Sequence, residues 1–87
     1  AYITDIGHEL LRIEQAIDDA SATDLCHHAH RLQGALQIYG AAPEADTAGD
    51  LWELGRDATP DWADARRLLR VLQQWHGSRA AEAMPGA

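Results

Sequence analysis

Four side chains able to do chemistry fall within five positions: Cys26, His27, His28 and His30. An imidazole can act as nucleophile, as acid or base, or as metal ligand. On a helix, Cys26 and His30 are spaced i, i+4 and His27 and His30 i, i+3, so either pair could reach one ion. A closed zinc site takes four ligands, and the neighbouring sequence supplies no others, so a metal-binding bundle stays an alternative with poor tetrahedral geometry. Elsewhere there is no glycine-rich phosphate loop. No serine is paired with a base and an orienting acid. The carboxylates scatter along the outsides of the expected helices and form no obvious catalytic pair.

The element that must position these groups runs from Asp24 to Ala41. Leu25, Ala29, Leu32, Leu36 and Tyr39 recur at three and four, the spacing of one helix face. At about 100° per residue, His30 lies roughly 150° from the centre of that face and points at water. His28 falls at the edge of the apolar stripe and reads as a structural histidine, hydrogen-bonded or snorkelling. His27 is about 60° from His30 on the wet side, a solvated bystander or a helper. Cys26 is about 40° away on the other flank, a half-exposed thiol. Gly34 sits one turn beyond His30. A glycine within a helix costs about 1 kcal/mol relative to alanine, so it calls for a contact reason. Here it clears space for another molecule to approach the imidazole.

Ala29-His30-Arg31-Leu32-Gln33-Gly34, followed by Gly40-Ala41, resembles the active helix of histidine-containing phosphotransfer (HPt) domains. The family pattern is alanine, histidine, any residue, leucine, lysine, glycine, then glycine-alanine at the helix end. The resemblance implies that His30 is the phosphoacceptor; with it, Gln33, Gly34, His27 and Gln37 are the candidate phosphate-site and receiver-contact residues. Gln33 departs from the family's lysine: it could donate a hydrogen bond to a phosphoryl group but cannot neutralise its charge. Arg31, about 100° from His30, is a poor substitute. Ile38 and Ala41 are candidates for apolar docking surface. A second segment, Gly7-His8-Glu9-Leu10, resembles the phosphorylated box of sensor histidine kinases. It lacks that box's proline and no ATP-binding domain follows, so His8 reads as a solvated helix residue.

The resemblance also implies a phosphocarrier in a multistep His-Asp phosphorelay rather than a free-standing enzyme. A receiver (response-regulator) domain docks over the exposed face of the second helix and the phosphoryl group passes from its phosphoaspartate to His30, then to another receiver. No cofactor of its own is expected; Mg²⁺ belongs to the receiver. The alternatives are a bundle that docks receivers without accepting phosphate, and a metal-binding or structural bundle.

Composition is consistent with this reading. The chain has 87 residues, enough for one small domain. It lacks phenylalanine and is rich in alanine, which favours close-packed helices. The formal net charge of −7 argues against nucleic acid and anionic membranes as partners. A single cysteine excludes an internal disulfide. No apolar run reaches transmembrane length and no signal peptide is visible. A cytoplasmic, monomeric domain is expected, free-standing or part of a membrane-anchored hybrid sensor kinase. Starting at Ala1 rather than methionine fits an excised part of something longer.

The periodicity predicts an all-α fold, an antiparallel up-down four-helix bundle over residues 1–76, and a disordered tail or linker over 77–87. A first helix spans about Ile3 to Asp19, with Ile3, Ile6, Leu10, Ile13, Ile17 and Ala20 inward and Glu9, Arg12, Glu14 and Asp18 outward. Ser21 caps the second helix and Gly40 ends it. A third helix spans about Pro43 to Asp57, with Ala45, Ala48, Leu51, Trp52 and Gly55 inward. Gly49 lowers its propensity, and its small residues imply either close helix approach or a soft element. Asp61 caps a last helix from Trp62 to about His76, with Trp62, Ala65, Leu68, Leu69, Leu72 and Trp75 inward and Arg66, Arg67 and Arg70 outside.

Overall fold

A computed structural model describes residues 2–82. These form four helices and, among the described residues, no strand: α1 (Tyr2–Asp18), α2 (Ala22–Tyr39), α3 (Ala42–Gly55) and α4 (Trp62–Glu82). Each helix packs against the next, and α4 closes on α1. The core is aliphatic. Ile6, Ile13, Leu25, Leu32, Leu36, Leu51, Leu69 and Leu72 are its largest fully buried side chains, and alanines 16, 29, 45, 48 and 65 fill the narrow gaps. Burying each of the large aliphatic side chains contributes about 1.5–3 kcal/mol, so the stripes read from the sequence hold the bundle together.

The helix ends follow from local chemistry. The Ser21 hydroxyl accepts a hydrogen bond from the Asp24 amide (3.3 Å), and the Asp61 carboxylate accepts one from the Asp64 amide (3.1 Å). Gly40 ends α2 in the left-handed conformation, φ 94°. Its amide donates to the Gln37 carbonyl (3.2 Å) while the Ala41 amide donates to that of Leu36 (3.0 Å), a Schellman closure. The end of α1 repeats this geometry without a glycine. Ala20 takes φ 52°, and the Ser21 amide donates back to Ala16 (2.8 Å). Ala20 is therefore exposed in a turn rather than on the core stripe, because the helix stops at Asp18.

Four other expectations change. Helix α4 does not end at His76 but continues to Glu82. A Cβ on Gly77 would meet no atom within 4 Å, and Arg79 pairs with Glu82 (2.8 Å) within the added turn. Residues 77–82 are thus helical, and the remainder of the expected tail, 83–87, lies outside the described residues. Helix α3 stops at Gly55 rather than Asp57. Tyr39 leaves the core stripe as α2 ends and instead meets Trp75 edge-on, 5.7 Å between ring centroids. Ala41 is buried beneath the α2 closure, which removes it from the candidate docking surface, whereas Ile38 is 68% exposed.

The interface of α2 with α3 is close. A Cβ on Gly55 would lie 2.6 Å from the Cys26 backbone nitrogen and 2.8 Å from its Cα. The glycine lets two backbones approach where any side chain would part them. Of the two readings of α3's small residues, close approach holds.

Candidate phosphotransfer site

The backbone of α2 is fixed on its inner side by Leu25, Ala29, Leu32 and Leu36, all fully buried. His30 follows Ala29 by one residue, so the helical turn carries its imidazole out of the core to an exposed position. It emerges on the flank facing α3. There its ring meets Trp52, 5.6 Å between centroids with the planes tilted by 45°. A shallow groove lined by Cys26, His27, His30, Arg31 and Trp52 opens beside it. A Cβ on Gly34 would meet no atom within 4 Å, so the surface one turn from His30 is clear.

The other expected site residues divide. His27 and Gln37 are exposed on the same helix. The His27 ring, however, leans edge-on against His28, 4.9 Å between centroids. Gln33 is half-buried and its side-chain amide lies over Gly49 of α3, where a Cβ would come within 2.8 Å of Nε2. The missing side chain at Gly49 makes the berth for Gln33.

His28 is the structural histidine that its place on the stripe's edge predicts. Its Nδ1 lies 2.9 Å from Glu9 Oε2, with the side chains 22% and 15% exposed. The other oxygen of Glu9 accepts from Arg31 Nε at 3.1 Å. One carboxylate of α1 therefore gathers two basic side chains of α2, and Arg31 is drawn towards α1. Among the described residues no three His, Cys, Asp or Glu side chains are grouped so as to hold a metal ion.

Sequence reasoning missed two residues of this neighbourhood. Trp52 reads as an inward position of α3; it is half-buried, packed against the core and also against His30. Glu9 reads as part of a solvated face and instead bridges two helices. The position of Trp52 beside Leu51, at the edge of α3's apolar stripe, was the one available signal.

No curated protein and no solved structure matches the chain. A protein-family model does: that of the Hpt domain, over residues 1–80. An all-helical fold of four helices and an outward histidine on the second agree with that match. The chain belongs to the Hpt domain family, whose members carry out phosphotransfer in His-Asp phosphorelays.

Proposed function

We propose that this domain is a phosphocarrier whose phosphoacceptor is His30. The observation that carries the reading is the exposed imidazole on a rigidly seated helix, with open space over Gly34 one turn away. Nε2 of the neutral imidazole attacks phosphorus of a receiver's phosphoaspartate in line. The N–P bond forms, the P–O bond to the aspartate breaks, and the bonding pair leaves with the carboxylate. Attack on the phosphohistidine by an aspartate of another receiver runs the same exchange in reverse. The receiver brings Mg²⁺, which supplies charge stabilisation at the phosphoryl group. The bundle contributes position, which is most of what phosphoryl transfer asks of a protein.

The finer architecture of the proposal is an antiparallel up-down bundle. Contacts between His76 and Ile3 and between Arg66 and Asp18 support it for α4 and α1, and those of Trp52 with His30 and Gly49 with Gln33 support it for α3 and α2. His27, Gly34 and Gln37 form the exposed receiver-contact surface, with Gln33 at its edge. The domain works as a monomer in the cytoplasm, alone or within a hybrid sensor kinase. No described helix is long and apolar enough to cross a membrane.

A second reading is receiver docking without phosphate. It is favoured by one observation, the glutamine at the family's lysine position with its amide turned onto Gly49. Incubation with phosphoramidate and with phosphorylated receivers separates the two. Acid-labile, base-stable label on His30 supports the carrier; binding of receivers with no label supports the docking bundle.

A further inference from the structure

We propose that Trp52 is a positioning residue for His30, an aromatic wall that holds the imidazole in its attacking orientation; this rests on the phosphocarrier reading. The ring centroids are 5.6 Å apart and the planes tilted by 45°, inside the range in which aromatic rings attract. Cys26, His27 and Arg31 share the groove with His30, yet the ring that its imidazole meets is that of Trp52. Arg31 is held by Glu9, the His27 ring rests on His28, Gln33 lies over Gly49, and Gly34 offers no side chain. Without Trp52, two free torsions would let the exposed imidazole sweep a wide arc, and only a small part of it would align Nε2 with an approaching phosphorus.

The wall is itself held in place. Trp52 packs against the core, and the Arg56 guanidinium lies 4.7 Å from the centroid of its ring. The spacing of the two helices is set one turn away, where Gly55 abuts the Cys26 backbone. The indole thus stands at a fixed distance from α2 and covers one side of the imidazole, and the side over Gly34 stays open. A receiver docked on α2 would meet a nucleophile already turned towards it. A small donor that diffuses freely can adapt to any orientation of the ring, so it would gain little from the wall.

That difference provides the test. The whole chain and its Trp52→Leu and Trp52→Phe variants are treated with phosphoramidate and, in single turnovers, with a phosphorylated receiver that binds the wild type. Leucine keeps apolar packing on the core and removes the aromatic face; phenylalanine keeps both. The expected result is a transfer rate at saturating receiver about threefold to tenfold lower for Trp52→Leu, matching the strength of one aromatic pair. The half-saturating receiver concentration should stay within twofold, Trp52→Phe should transfer within twofold of the wild type, and phosphoramidate should label all three alike. In the NMR spectrum, the His30 ring protons should lose their indole ring-current shift in Trp52→Leu. An unchanged saturating rate overturns the proposal. So does a loss confined to half-saturation, which makes Trp52 a docking contact, and so does an equal loss with phosphoramidate, which makes it a purely structural residue. A wild type that neither donor labels overturns the phosphocarrier reading, and this one with it. A wild type that labels beside an unimpaired Trp52→Leu overturns this one alone.

Discussion

On the flank of α2 that meets α1, Glu9 gathers His28 and Arg31 into an ion-paired cluster. On the flank that meets α3, Gly49, Trp52 and Gly55 form a close contact against Gln33, His30 and Cys26. His30 emerges on the second flank. His28 and Arg31 are thus paired on the first, while beside the imidazole stand Trp52, with the Arg56 guanidinium over its ring, and the open surface at Gly34. On the proposed phosphocarrier reading, the difference assigns orientation of the histidine to the bundle and stabilisation of the phosphoryl charge to its partner. Substitutions on the two flanks should therefore fail in different ways.

The largest effect is expected at the close contact. Gly55→Ala places a methyl group within 3 Å of the Cys26 backbone, which cannot swing aside as a side-chain tip can. Overpacking of this kind costs about 1–3 kcal/mol. Urea unfolding should show that loss, and transfer from a receiver should fall as α2 shifts relative to Trp52. Unchanged stability would mean that the helices part freely and that the wall is not fixed.

The charged flank should break more gently. Glu9→Ala leaves part-buried His28 without its partner, a loss of about 1 kcal/mol. The Arg31 arm adds little, because Arg31 is 62% exposed and screened by water. Melting should register the loss while labelling of His30 stays within about twofold, the factor that a few tenths of a kcal/mol produces. A transfer defect as large as that of Gly55→Ala would erase the distinction between the flanks.

Gly34→Ala tests the clearing. The new methyl group meets nothing in the domain, so helix stability should rise by up to about 1 kcal/mol. Transfer from a receiver should nevertheless slow, since the partner must approach there. Equal or faster transfer on a more stable domain would show that Gly34 is not a clearance residue.

The smallest effect is expected from Gln33→Lys, which adds a charge one turn from His30. A lysine released from the berth over Gly49 should lengthen the life of phosphorylated His30, through a charge-assisted hydrogen bond about twice as strong as a neutral one. The gain should shrink in high salt because the site is exposed. A lifetime equal to that of the wild type at low salt would place all the stabilisation on the receiver.

Much of this was legible in the sequence, for definite reasons. Period 3.6 set the phase of α2, so Leu25, Ala29, Leu32 and Leu36 had to face inward and His30 outward. Ser21, Gly40 and Asp61 marked helix ends because their chemistry is local. Partners across helices were not legible. A wheel gives the angle of Trp52 or Glu9 on its own helix, and says nothing of which residue on the next helix stands opposite. The orientation of Gln33 depends on a missing side chain at Gly49, sixteen positions away. The end of α4 is not legible at Gly77 because a glycine is permissive as well as breaking: the backbone carries on to Glu82.

The central claim, that His30 carries the phosphoryl group, is tested most directly by labelling the domain with a phosphorylated receiver and Mg²⁺ and substituting each histidine of the first two helices in turn. His30→Gln should abolish acid-labile, base-stable label, while His8→Gln, His27→Gln and His28→Gln should keep it. Full label persisting on the His30→Gln variant would contradict the assignment.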